Sequence, residues 1–126
     1  MSKPIARVAM LSAIAFVVYG AWAAFANREY ASSVIVRAFV VQGVSSALST
    51  ASISSVIELF WQRLGGGKHS VFVAATAACL VAAAFHATLH LIGGTPNVAA
   101  AIAVPTLMGF VFGLAYALTL VRAKSA

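Results

Sequence analysis

The sequence predicts an all-α integral membrane protein with four transmembrane helices in an antiparallel hairpin bundle. Of the 126 residues, 63% are hydrophobic and 8% are charged, whereas a soluble domain carries about 25% charged residues. The apolar residues also fall into four runs, each long enough to cross the ~30 Å hydrocarbon core of a bilayer. Because so few polar residues cannot cover a soluble core, we expect lipid to cover the outside of the molecule.

The four predicted spans cover residues 5–26, 38–61, 70–92 and 98–121. The connections between them are too short for a soluble domain, so residues 1–126 are expected to form one transmembrane domain with hairpin-connected neighbours. The first run resembles a signal peptide in outline. It is longer than an h-region of about 7–15 residues, and we therefore expect a retained helix. Porin-like strands are excluded because the runs do not alternate apolar and polar residues.

The basic residues predict the orientation of the helices. Six of them fall on one side of a four-span arrangement: Lys3, Arg7, Arg63, Lys68, Arg122 and Lys124. Arg28 and Arg37 fall on the other side, and Glu29 follows Arg28. Cytoplasmic segments carry an excess of Lys and Arg, so we expect both termini in the cytoplasm. The net charge of +6 then reflects topology, and we do not expect nucleic acid as a partner.

The second span is more polar than the others. Its candidate residues for a substrate or ion path fall on one helical face and an adjoining ridge: Gln42, Ser45, Ser46, Ser49, Thr50 and Glu58. A polar face at membrane depth predicts a cavity or a substrate path. The alternative is that the serines pack like alanines and bond to carbonyls of their own helix.

Of the two acidic residues in the sequence, Glu58 is the one that lies inside a predicted span. Ionisable groups at membrane depth are costly and often functional, so Glu58 is a candidate for proton coupling or cation binding. It lies about one turn from the end of its span. The alternative role is therefore an interfacial one, in which the carboxylate reaches the headgroups or pairs with Arg63 or Lys68.

His86 and His90 lie one helical turn apart near the outer end of the third span. This spacing suits a pair of metal ligands. The adjacent Glu of a zinc protease helix is absent, and Glu58 is expected at the opposite membrane face. We therefore expect an outer polar pair that forms hydrogen bonds, with no metal and no cofactor. A change of charge near neutral pH is a further role for these imidazoles.

Small residues on the fourth span predict a contact face for another helix. Gly109, Gly113 and Ala117 repeat at intervals of four, which places them on one face and allows close packing. We expect this face to support a homo-oligomer or binding to a partner membrane protein. Pro105 predicts a kink, and Thr95 or Asn97 is expected to cap the fourth helix.

No catalytic motif is recognisable, so we expect no enzymatic activity. In length and layout the sequence resembles small bacterial membrane proteins, namely small multidrug transporters, fluoride channels and the family associated with flipping lipid-linked sugars. Residues 48–52 are similar to the Thr and Ser run of fluoride channels but stand in the second span, and the first span lacks the carboxylate of the multidrug transporters. We assign no family. The layout implies a bacterial inner membrane.

Two functions are compatible with this layout. The first is a membrane protein that moves, or helps to move, a small polar or lipid-linked substrate across the bilayer. The second is a non-catalytic structural or accessory subunit of a larger membrane complex. In either case the expected partners are the lipid bilayer and membrane proteins.

Overall fold

The computed structural model describes residues 3–125, with side chains from Val8 to Lys124, and this part of the chain forms four α-helices and no strand. The helices are α1 (Lys3–Ala26), α2 (Ser32–Arg63), α3 (Ser70–Ile92) and α4 (Val98–Ser125). Each is long and apolar enough to cross a membrane. The predicted all-helical class with four helices of membrane-spanning length is thereby confirmed, and the four apolar helices indicate an integral membrane protein.

The helices α2 and α4 extend beyond the predicted spans. α2 begins at Ser32 and contains 32 residues, which is about 48 Å at 1.5 Å per residue. α4 continues through Pro105 to Ser125. Hydropathy marks where a helix is apolar, whereas the hydrogen bonds of its backbone continue among headgroups and water. The residues added to the two helices include Ser32, Ser33 and Arg37 on α2 and Arg122 and Lys124 on α4, which lie outside the predicted apolar runs.

α2 and α4 each contact all three of the other helices. The most extensive contact joins α1 and α2, while no Cα atoms of α1 and α3 come within 8 Å of each other among residues 3–125. One apolar cluster joins α2, α3 and α4 and contains Ile57, Val71, Ala78 and Ala117. Because α2 packs against all three neighbours, its polar residues are distributed among several helix contacts.

Two glycines lie at close contacts between α1 and α2. A Cβ atom added to Gly20 would lie 2.9 Å from the carbonyl oxygen of Phe39. A Cβ atom on Gly43 would lie 2.9 Å from the ring of Phe16 and 3.0 Å from its carbonyl oxygen. Each helix thus contributes a glycine against a phenylalanine of the other. Small residues at such crossings let helix backbones approach closely in membranes.

The small residues of α4 differ from one another in their surroundings. A Cβ atom on Gly113 would lie 3.5 Å from side-chain atoms of Ala75 and Ile57, and Ala117 is fully buried. A Cβ atom on Gly109 would meet no heavy atom of the described chain within 4 Å. Gly113 and Ala117 therefore pack inside the bundle, whereas Gly109 does not provide a close approach among the described helices.

Two ends of the bundle are distinguished by their hydrogen bonds. At the first, called the Asn27 end, the Asn97 backbone N–H donates to Asn27 Oδ1 over 3.1 Å, and Trp22 Nε1 donates to the Ala100 carbonyl over 2.8 Å. Asn27 follows α1 and Asn97 precedes α4, so this hydrogen bond joins the ends of the two helices. At the other, called the Trp61 end, Lys124 Nζ donates to the Gly66 carbonyl over 3.2 Å.

Candidate functional site

Polar side chains of α2 and α3 meet inside the bundle on the side of the Asn27 end. Gln42, Ser45 and His90 are fully buried, and His86 is 5% exposed. We define the Gln42 network as the connected set Gln42, Ser45, Ser46, Ser49, His86, His90 and Thr95. This cluster unites two groups that the sequence analysis treated separately, the α2 path and the outer histidine pair.

The carboxamide of Gln42 joins the two imidazoles. Its Nε2 lies 2.9 Å from His86 Nδ1 and donates to Ser46 Oγ over 2.8 Å. Its Oε1 lies 2.7 Å from His90 Nε2. The two histidines therefore interact through a glutamine of another helix, although they lie one turn apart on α3.

Hydroxyl groups bind the two outer nitrogens of the histidines. His90 Nδ1 lies 2.8 Å from Thr95 Oγ1, in the turn after α3, and His86 Nε2 lies 3.1 Å from Ser49 Oγ. Every ring nitrogen of the pair thus has a partner within the chain. A continuous line of hydrogen-bonded side chains runs from Thr95 to Ser49.

The network can adopt two directions of hydrogen bonding. In the orientation described, the Gln42 NH₂ group donates to His86, so His86 Nε2 carries the hydrogen and donates to Ser49. His90 Nε2 donates to Gln42 Oε1, and His90 Nδ1 accepts from Thr95. Rotating the carboxamide by half a turn exchanges its oxygen and nitrogen and reverses each step. Both imidazoles are neutral in either direction, but the described direction satisfies the carboxamide better. There the NH₂ group has two acceptors, Ser46 and His86, whereas after the rotation it has one, His90 Nε2.

The same geometry limits how many protons the network can bind. An imidazolium donates from both nitrogens, and the carboxamide has a single oxygen to accept from one imidazolium. Its NH₂ group then faces the other ring, which must accept and therefore be neutral. With every hydrogen bond retained, the network holds at most one additional proton, on His86 or on His90.

A groove of about 230 Å³ lies beside the network between α2 and α3. Its lining residues are Leu48, Ser49, Ser52, Ile53, Val56, Ala78, Val81, Ala82 and Phe85. We call it the α2–α3 groove. Its walls are apolar apart from two serines, and the Ser52 hydroxyl donates to the Leu48 carbonyl of its own helix over 2.9 Å. Ser49 belongs to both the groove and the network, so it connects the two.

The structure divides the remaining candidates of the α2 path. Thr50 is partly buried and stands outside the network. Glu58 lies at a different helix contact, where the Tyr116 hydroxyl donates to its Oε1 over 2.5 Å. The predicted path residues thus do not form one lining. Sequence reasoning missed Tyr116 and the contact of Thr95 with His90, since neither has a spacing signal that relates it to its partner.

The single cysteine does not join the histidines. Cys79 Sγ donates to the Thr106 carbonyl of α4 over 3.4 Å. Between residues 3 and 125, no three His, Cys, Asp or Glu side chains come close enough to hold a metal ion. The side chains of the Gln42 network themselves offer hydrogen bonding and proton binding.

Comparison with known proteins gives no relative: no family model, curated protein or solved structure matches the chain. The class that the fold and site define is a helical integral membrane protein with a buried glutamine and histidine network. Its function is therefore inferred from the geometry of its own residues.

Proposed function

We propose that this chain is a small membrane protein that moves, or helps to move, a small polar or lipid-linked substrate across the bilayer. The observation that carries the proposal is the position of Ser49, whose hydroxyl lines the α2–α3 groove and bonds to His86. The apolar walls of the groove suit a hydrocarbon chain, and Ser49 offers a hydrogen bond to a polar group. Ligand sites commonly combine apolar walls with a few placed polar groups.

The two hydrogen-bond directions of the Gln42 network give Ser49 two binding modes. When His86 Nε2 donates to Ser49, the serine hydrogen is free to donate to a substrate. When Ser49 donates to His86 Nε2 instead, its oxygen is free to accept from a substrate. A substrate would therefore favour one direction according to its own donor or acceptor groups. Because a bound proton also fixes the direction, substrate and proton binding would be linked.

The same proposal includes an orientation for the chain. We infer an antiparallel arrangement of hairpin-connected helices, with the Trp61 end and both termini in the cytoplasm of a bacterial inner membrane. Arg63, Lys68, Arg122 and Lys124 lie towards the Trp61 end of this arrangement, whereas Arg28 and Arg37 lie towards the Asn27 end. The excess of basic residues in cytoplasmic segments supports this orientation.

Cysteine labelling tests the orientation. In a Cys79→Ala background, Ser125→Cys should react with impermeant reagents only from the cytoplasm, and Pro96→Cys only from outside. Pro96 is exposed and is preferred to its neighbour Thr95, which is buried against His90. Ser2, a further labelling position, lies outside the described residues. Reaction of Ser125→Cys and Pro96→Cys from the same side would overturn the four-span orientation.

Complementation tests the transport function. In a strain that lacks this chain, Ser49→Ala should reduce complementation or substrate flux by about three- to tenfold at equal protein level, since one hydrogen bond contributes roughly 0.5–1.5 kcal/mol. The matched control is Ser55→Ala, an exposed serine on the same helix. Equal activity of Ser49→Ala, Ser55→Ala and the wild type would contradict the proposal.

A second function is a non-catalytic accessory subunit of a larger membrane complex, or a subunit of a homo-oligomer. It is favoured by the open space beside Gly109, where another helix could approach closely. In that case Gly109→Leu should lower the mass of the complex in mild detergent, while Ser49→Ala should leave assembly and growth intact. Unchanged mass for Gly109→Leu would remove this alternative.

A further inference from the structure

A second polar site lies between α2 and α4, towards the Trp61 end. Glu58 stands five residues before Arg63, the last residue of α2, or about 8 Å along the helix axis. Its Oε1 accepts a hydrogen bond from Tyr116 over 2.5 Å, and Ser54 lies beside the Tyr116 hydroxyl. The partly exposed carboxylate is thus held in place by a neutral donor.

The Glu58 carboxylate has no cationic partner in the part of the chain that the structure describes. The ion pair found there joins Arg28 to Glu29 over 3.3 Å. Lys124, at the same end as Glu58, donates to the Gly66 carbonyl and lies 5.6 Å from the ring of Trp61. A positive group from outside the chain can therefore approach this partly exposed carboxylate and pair with it.

Two aromatic rings of α4 extend this site. Phe112 and Tyr116 stack with ring centroids 5.9 Å apart and an interplanar angle of 13°. Phe112 is 46% exposed, so its ring is accessible from outside the bundle. The faces of aromatic rings attract cations. Tyr116 thus contacts both the Glu58 carboxylate and the Phe112 ring, so the three side chains form one continuous group whose outer member is exposed.

We propose that Glu58, Tyr116 and Phe112 bind an organic cation that carries apolar substituents. The carboxylate supplies the opposite charge, and the rings supply cation–π and apolar contact. A hydrated metal ion fits less well, because one carboxylate and two hydroxyls fall short of the six or more oxygen ligands that such ions take. The site is separate from the Gln42 network and does not depend on the transport function proposed for it.

Binding of tetraphenylphosphonium to the purified full-length chain in mild detergent tests this site. Equilibrium dialysis should show saturable binding of one cation per chain. Glu58→Gln should weaken it at least about tenfold, and Phe112→Leu about threefold, since an exposed cation–π contact is modest. The matched control is Glu29→Gln, which removes the other carboxylate of the chain and should leave binding unchanged.

Triphenylphosphine oxide, a neutral molecule that carries three of the same phenyl groups, serves as the ligand control and should not compete. Wild-type affinity in Glu58→Gln, or equal competition by triphenylphosphine oxide, would overturn the proposal. If Glu58→Gln does not fold, Glu58→Asp, which keeps the charge, should retain binding within about threefold while Phe112→Leu weakens it. Equal affinity of Phe112→Leu and the wild type would then overturn it.

Discussion

The two polar sites of α2 are satisfied in different ways. In the Gln42 network, both carboxamide atoms and all four imidazole nitrogens have partners within the chain. At Glu58, a whole carboxylate receives one hydrogen bond from Tyr116. Removing one member of a satisfied buried network leaves its partners unpaired, which costs far more than the bond itself contributes. The network should therefore matter most for stability, and the Glu58 site least.

Replacing the central glutamine should produce the largest effect. Gln42→Leu removes three hydrogen bonds and leaves the buried His90 Nε2 without a partner, whereas His86 Nδ1 keeps Ser45 Oγ at 3.0 Å. An interhelical bond contributes only about 0.6 kcal/mol in a membrane, but an unsatisfied buried group costs about 1–3 kcal/mol. We expect a loss of about 2 kcal/mol in the free energy of unfolding, measured by reversible unfolding in mixed detergent micelles.

The matched variant for this measurement is Glu58→Gln. Its amide oxygen still accepts from Tyr116, so the free energy of unfolding should change by less than about 0.5 kcal/mol. Equal losses in the free energy of unfolding for Gln42→Leu and Glu58→Gln would contradict the expectation that the Gln42 network contributes more to stability than the Glu58 site.

Packing between α1 and α2 gives a reference for these polar effects. Gly20→Ala places a methyl group 2.9 Å from the backbone oxygen of Phe39, and forced repacking costs about 1–3 kcal/mol. Alanine regains up to about 1 kcal/mol of helix propensity, so we expect a net loss of about 1–2 kcal/mol in the same unfolding assay. Gly109→Ala meets open space and should cause no loss. Similar free energies of unfolding for Gly20→Ala and Gly109→Ala would mean that α1 and α2 can move apart to accept a methyl group without loss of stability.

The end of the network should contribute less than its centre. Thr95→Val removes the hydroxyl that binds His90 Nδ1 and keeps the shape of the side chain. A loss of about 1 kcal/mol is expected, because one buried nitrogen loses its partner. Thr88→Val is the control, since Thr88 is exposed and bonds to the Ala84 carbonyl of its own helix. If both variants melt at the same temperature, Thr95 does not stabilise the network.

The smallest effect is expected for Tyr116→Phe. Glu58 is partly exposed and lies near the end of α2, so its carboxylate can turn towards headgroups or water once the hydroxyl is gone. We expect a loss below about 0.5 kcal/mol, as for other exposed charged positions. A loss as large as that of Gln42→Leu would show that the Glu58 site contributes as much to stability as the Gln42 network.

The four spans could be predicted because lipid selects apolar runs of sufficient length, a property that each segment displays on its own. Four candidate polar residues could also be identified, because polar side chains stand out within an apolar span. They are Gln42, Ser49, His86 and His90. Their meeting could not be predicted, since it depends on how α2 and α3 align along their axes. That alignment follows from packing of the helices, and no periodicity within a single helix encodes it.

The contact between Glu58 and Tyr116 could not be predicted from the sequence either. The two residues are 58 positions apart in sequence, and the ridge that begins at Ser46 gave no reason to connect Glu58 with α4. A ridge of every fourth residue slowly rotates around a helix. Glu58 has therefore rotated away from the side on which Gln42 meets α3, and the continuous path expected from the spacing is divided.

The sharing of one carboxamide by two imidazoles has a consequence for the evolution of this protein. Gln42, His86 and His90 cannot be exchanged independently, because each single replacement leaves another buried group unpaired. Replacing Gln42 and both histidines by apolar residues together removes that penalty among the three, and leaves the hydroxyls of Ser46 and Thr95 to find new partners. The three positions should therefore be inherited as a set, retained jointly in some lineages and lost jointly in others, with few sequences in between.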